Sequence, residues 1–180
     1  MDQHDAPTRT PINPLRERFL RWTSGSERGQ AFGRQFGRLI ALPQLKRLTA
    51  SEIPWTPLAR PISEARVAIV TTSGVHLRRD KPFHLNSDTS FRVIPRDTKA
   101  ADLTITHRAY DRTDALRDIN LVFPLERLRE LEAEGVIGHV ADEHFGFGLS
   151  GSAKALIAPG QEVARRLARA HVDLVLLVPA

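Results

Sequence analysis

Arg66–Val67–Ala68–Ile69–Val70–Thr71–Thr72, followed by Ser73–Gly74–Val75–His76, is the stretch that decides the fold. The apolar run is nearly continuous and ends at a glycine turn. That pattern suits a strand buried on both faces, with no solvated side. A second run of the same kind, Val172–Asp173–Leu174–Val175–Leu176–Leu177–Val178, lies at the other end of the chain. Strands this apolar belong to parallel sheets covered by helices, so the expected fold is α/β. The sheet is expected to be open and mainly parallel, with helices on both faces and right-handed connections.

The segment between the two runs alternates in the same sense. A short extended piece is expected at Ser90–Pro95 and a second sheet strand at Asp102–His107, with a loop from Arg108 to Asp118. Ile119–Phe123 reads as a short strand or as the approach to a helix. Pro124–Glu134 is the clearest helix, with Leu125, Leu128 and Leu131 on its buried face and Gly135 as its stop. Val136–Val140 is extended, and the chain turns near Gly146–Phe147–Gly148. A last helix from about Pro159 to Ala170, with Val163 and Leu167 inward, leads into the terminal strand.

Upstream of the core, residues 1–13 read as a disordered tail and residues 14–53 as a helical N-terminal extension. Asn13–Pro14 is a helix start, with a capping side chain followed by a proline whose missing N–H costs nothing there. Leu15, Phe19 and Trp22, then Phe32, Phe36, Leu39 and Ile40, recur at helical spacing. A linker with three prolines, Pro54, Pro57 and Pro61, leads into the α/β domain, which is taken as residues 54–180.

Of the 180 residues none is cysteine, so disulfides, thiol chemistry and thiolate metal sites are excluded within them. Residues 1–60 carry ten Lys or Arg and five Asp or Glu, so the net charge of +5 resides there. The basic residues interleave with apolar ones at helical spacing, which suits a solvated helix face, and no nucleic-acid-binding motif accompanies them. No apolar run reaches a membrane-spanning length and no signal-peptide core opens the chain. A cytoplasmic protein with neither a nucleic-acid nor a membrane partner is expected.

Candidate chemistry gathers at strand ends. Thr71, Thr72, Ser73 and Gly74 close the first strand and could offer N–H groups and hydroxyls to an anion, or form an ordinary strand-end turn. His107 ends the second strand with Tyr110 and Asp111 just beyond, an arrangement suited to proton transfer or to a backbone-bonded loop histidine. His76 could share that rim, although Arg78, Arg79, Asp80 and Lys81 beside it suggest exposure. His139 and His144 flank Asp142 and Glu143 without a defined element to converge them, so no metal site is expected. Asp118 reads as a turn or capping residue.

Three sets of residues carry a resemblance. They are Val67–His76, Asp118–Leu125 and Glu134–Gly138, joined by His107, Tyr110 and Asp111 and by Val172–Leu177. In this order they resemble the selenoprotein B family of the glycine, sarcosine, betaine and D-proline reductases, over roughly residues 54–180. The resemblance implies an oxidoreductase component that cleaves a carbon–nitrogen bond reductively. It also implies a small-molecule substrate and partner subunits or a thioredoxin-like donor; a homo-oligomer is expected besides, from the apolar surface of the last strand. No dissociable cofactor is implied. The family's nucleophile is a selenocysteine or cysteine with a cysteine three positions later, expected just after the strand that ends here at Val178.

On that basis a frame halted at a selenocysteine codon after Ala180 is expected, with apolar surface left on the last strand. His107 would donate a proton or orient substrate and Asp111 would steady it. Thr71, Thr72, Gly74, His76, Tyr110, Phe145 and Gly146 would line the pocket. The competing reading is a non-catalytic α/β module that binds a small zwitterion or a partner protein.

Overall fold

The structure, a computed structural model, describes residues 56–150 and 152–179. The tail expected at 1–13 and the helical extension expected at 14–53 lie outside the described residues.

Seven strands and three α-helices follow one another from Thr56 onward. They are β1 (Arg66–Thr71), β2 (Val75–Leu77), β3 (Phe91–Pro95), β4 (Leu103–Ile105), α1 (Thr113–Arg117) and α2 (Leu125–Ala133). Then come β5 (His139–Val140), β6 (Glu143–Phe147), α3 (Ile157–Arg169) and β7 (Leu174–Val178). The α/β class expected from the sequence is what the chain adopts.

β1 lies at the centre of the main sheet. One edge pairs in parallel with β7, from Val67 opposite Leu174 to Thr71 opposite Val178. The other edge pairs in parallel with β5 and then β6. β3 closes the far side by pairing antiparallel with β6. The sheet is therefore mixed, parallel around β1 and antiparallel at β3.

Alternation along β1 and β6 splits the core in two. Val67 and Ile69 join Ile94, Phe123 and the α2 residues Leu125 and Leu128 on one face. Phe145 and Phe147 meet Val163 of α3 on the other, with Val70, Phe91, Val93 and Leu167 around them. One helix thus covers each face. The expected inner residues Leu125, Leu128 and Val163 are buried, and Leu131 and Leu167 are half-buried.

Both long helices end with the same paired hydrogen bonds. After α2, Gly135 N–H donates to Glu132 O at 3.0 Å and Val136 N–H to Leu131 O at 2.9 Å. After α3, His171 N–H donates to Ala168 O at 3.1 Å and Val172 N–H to Leu167 O at 3.0 Å. The closing residue is left-handed in each, Gly135 at φ 71° and His171 at φ 53°. Histidine accepts that backbone at a steric cost that glycine avoids.

Four expectations need correction. The strand expected at Asp102–His107 is only Leu103–Ile105, and it leaves the main sheet to pair antiparallel with β2. Val75 and His76 are not part of the turn but the start of that two-stranded sheet. The loop after Arg108 contains the short helix α1; of the two readings of Ile119–Phe123 the approach to a helix holds, with a 3-10 turn at Ile119–Leu121 just before α2. The chain does not turn at Gly146 and Phe147, because β6 runs through both. Gly146 is required there for closeness: a Cβ would run into the Val75 carbonyl oxygen as β2 crosses β6. The apolar surface expected on the last strand is present: none of the five residues of β7 is fully buried, and Leu177 is 71% exposed.

Candidate functional site

The carboxyl end of β1 and the loop after β4 meet. Gly74 accepts from the Thr106 N–H at 2.9 Å, which ties the two segments together. Gly74 adopts φ 73°, and a Cβ there would collide with the Thr106 carbonyl oxygen, so the close approach depends on glycine. Tyr110 reaches back and donates its hydroxyl proton to the Ser73 carbonyl at 2.9 Å. His107 packs beneath it, with ring centroids 4.9 Å apart.

The turn itself is saturated. Thr72 N–H donates to Val178 O at 3.1 Å and Gly74 N–H to Phe147 O at 2.9 Å. Ser73 N–H donates to Thr71 Oγ1 at 3.1 Å, while the Thr71 hydroxyl donates to Ser73 Oγ at 2.9 Å. The backbone donors that sequence reading offered to an anion are thus spent on the protein. Thr71 and Ser73 are fully buried, and Thr72 is exposed.

His107 is buried, and its Nδ1 accepts from the Ala109 N–H at 3.2 Å. In the neutral ring the proton therefore sits on Nε2. Burial first, and then the nearby Arg112 guanidinium, hold this imidazole below its ordinary range. Arg112 is itself fixed by donating to Ile105 O at 3.1 Å. Burial pushes the Tyr110 phenol up, so both groups are neutral near pH 7.

Asp111 does not take the part expected of it beside His107. Its carboxylate accepts from the Thr113 hydroxyl at 2.7 Å and the Thr113 N–H at 2.9 Å. Those bonds start α1 and hold the carboxyl below its ordinary range. The side chain is exposed and serves a helix end.

His76 is buried, not exposed as its charged neighbours suggested. Its Nδ1 donates to Leu77 O at 2.7 Å, and Nε2 lies 2.9 Å from the Thr106 hydroxyl. With both nitrogens engaged and Phe83 edge-on at 5.6 Å, it braces the loop that carries His107. Phe145 turns its ring into the core beneath α3, 5.7 Å from Phe91. Gly146 supports Val75. The structure thus brings Thr71, Gly74, His76, His107 and Tyr110 together, and directs Asp111 and Phe145 elsewhere.

Ser73, named with the strand-end turn, contributes differently from expectation, through the carbonyl that Tyr110 grips. One contributor escaped the sequence reading: Arg112, which supplies the charge beside His107. It has no local signal, since its place comes from the folding of the loop. A separate cleft of about 330 Å³ is lined by Arg78, Arg79, Asp97, Thr98 and Asp102, among others. None of the nine sequence-predicted residues lines it. Among the described residues no group of three or more His, Asp or Glu is placed to hold a metal ion. No described helix is long and apolar enough to cross a membrane.

Comparison with known proteins fixes the lineage. The profile of the glycine/sarcosine/betaine reductase selenoprotein B family matches residues 32–180. The chain is 42% identical over 125 residues to the D-proline reductase subunit gamma of Acetoanaerobium sticklandii, covering 68% of this chain and 52% of that protein. It is 32% identical over 179 residues to the sarcosine reductase complex component B subunit beta of Peptoclostridium acidaminophilum, covering 91% and 39%. It is 31% identical over 132 residues to the glycine reductase complex component B subunit gamma of Symbiobacterium thermophilum, covering 69% and 30%. The chain spans about half or less of the length of these relatives, and no solved structure matches it significantly. With the strand-end turn, the His107 loop and the terminal strand in the order that the resemblance required, the chain belongs to the glycine/sarcosine/betaine reductase selenoprotein B family.

Proposed function

We propose that this chain supplies the substrate-holding part of a reductase component that cleaves a carbon–nitrogen bond of a small amino acid or betaine-like molecule. The observation that carries the reading is the family match over residues 32–180. It is supported by relatives named as subunits of D-proline, sarcosine and glycine reductases. The 180 residues include no cysteine. The selenol or thiol nucleophile of the family is therefore not one of them, and their share of the reaction is binding and orientation.

The geometry favours one of the two roles expected of His107. A buried ring held neutral, with Nδ1 occupied by the Ala109 N–H, presents Nε2–H as a hydrogen-bond donor. Such a donor orients a substrate carboxylate more readily than it delivers a proton at neutral pH. Tyr110 contributes by locking the Ser73 peptide, and so the shape of the turn.

The test is titration of the isotope-labelled chain with D-proline, sarcosine, glycine and betaine, followed by NMR. At least one ligand should shift the Thr72, Gly74, His107 and Ala109 amides. His107→Ala should weaken that binding about tenfold or more, as expected for losing a hydrogen bond to a charged group. Silence of these amides with all four ligands would overturn the reading.

A further inference from the structure

The pairing along one edge of β1 slips by two residues. Arg66 lies opposite His139 and Val67 opposite Val140, but Val70 lies opposite Phe145 and Thr71 opposite Gly146. Between these registers the chain bulges at Ala141 and Asp142. The Ala141 N–H still donates to Val67 O at 2.9 Å. The next donor that β1 turns to this edge is the Ile69 N–H, which donates to Nδ1 of the His144 imidazole at 2.9 Å.

Ile69 and His144 are both completely buried. A bare N–H in that setting would cost the desolvation of an unpaired donor. The acceptor has to come from a side chain, because the bulge draws the main chain away. With Nδ1 accepting, Nε2 carries the ring proton, and it has no hydrogen-bond partner among the described residues. The ring stands edge-on to Phe123, with centroids 6.0 Å apart and planes at 86°. One orphaned donor is thus tolerated to satisfy another that lies in the central strand.

We propose that His144 is a positioning residue for the turn at the end of β1. Its Nδ1 stands in the ladder where a main-chain carbonyl would be, and it sets the point at which β6 delivers the Phe147 carbonyl to Gly74. That 2.9 Å contact is one of the bonds that fix the turn. The assignment follows from backbone geometry and holds whatever ligand the turn serves, so it stands apart from the reductase reading.

The pin is sensitive to acid. Burial first, and then Arg129 and Arg96, lower the His144 imidazole to about 4, against an opposing pull from Asp142. Arg129 faces it from α2 and Arg96 from the end of β3, the latter ion-paired with Glu132 at 2.7 Å. Asp142 belongs to the bulge. In the unfolded chain the ring returns to 6.5. Between those values the unfolded state binds the extra proton, so the stabilisation is complete above pH 6.5 and is lost as the pH falls towards 4.

The test is NMR of the 180-residue chain as wild type, His144→Asn and His144→Leu. Imidazole nitrogen shifts assign the tautomer, and hydrogen exchange reads the Ile69 amide. Asparagine places Oδ1 near the position of Nδ1 and does not titrate. The expected result is an Nε2–H ring in the wild type. Ile69 exchange should be nearly unchanged in His144→Asn and about tenfold faster in His144→Leu, the loss of one net hydrogen bond. His144→Asn should also lose the fall in stability between pH 6.5 and 4. A ring protonated at Nδ1, equal Ile69 exchange in all three proteins, or an undiminished acid loss in His144→Asn would overturn the proposal. If His144→Leu does not fold, the tautomer and the asparagine variant still decide.

Discussion

The two edges of β1 are built on opposite plans. Towards β7 the ladder is regular, five residues in unbroken parallel register, and Asp173 fastens its start by accepting the Arg66 N–H at 2.9 Å. Yet β7 is poorly covered, with Leu174, Leu176 and Leu177 exposed. Towards β5 and β6 the ladder is broken by a two-residue slip and patched by an imidazole. That side holds the fully buried Phe145, His144 and Val140. Regular hydrogen bonding and deep packing are therefore separate resources, and here they fall on different edges. Net hydrogen-bond stabilisation is small because water offers the same bonds, whereas burial of a large apolar side chain is not matched by solvent. The irregular edge should carry more of the stability.

Substitutions on the two edges should therefore have unequal effects. Phe145→Ala removes a completely buried ring between α3 and the sheet and should cost about 3–5 kcal/mol. A urea midpoint within error of the wild type would refute the claim that stability lies on this edge. Gly146→Ala sets a Cβ against the Val75 carbonyl oxygen and should cost about 1–3 kcal/mol through strain. It should also disturb the turn that follows β1, visible as shifted Ser73 and Gly74 amides. Leu177→Ser on the regular edge should change stability by no more than about 0.5 kcal/mol, since the side chain is 71% exposed. A loss as large as that of Phe145→Ala would show that β7 is covered by something that the comparison leaves out.

The edges also meet at the candidate site, because the turn after β1 is held from both sides. Val178 of β7 takes the Thr72 N–H, and Phe147 of β6 takes the Gly74 N–H. A change on either edge therefore reaches the same four residues. This explains how a turn with no spare backbone donor can keep one conformation: its shape is fixed by two strands that arrive from different parts of the chain.

Much of this was legible in the sequence. Unbroken apolar runs marked β1 and β7 as sheet strands, because a strand covered on both faces needs no polar side; β1 is covered so, whereas β7 pairs with β1 alone and stays largely exposed. Helical spacing of leucines marked α2, and Gly135 marked its end, because left-handed backbone favours glycine. The order of the quoted segments revealed the family. Local patterns of this kind record what a residue's neighbours in the chain require, and they survive without any tertiary information.

Other features were decided only when distant segments met. Gly146 looked like a turn residue and is a crossing point, since its constraint comes from Val75, far away in sequence. Asp111 looked like a partner for His107 and instead accepts from Thr113 at the start of α1, because the loop folds into a helix that nearby residues did not announce. His76 looked exposed among charges and is buried, because β2 pairs with β4 and draws it inward. His144 looked like half of a weak metal pair and instead completes the hydrogen bonding of β1. In each case composition and spacing identified the residue, while its hydrogen-bond partner, and with it its role, was set by packing between segments that no local pattern encodes.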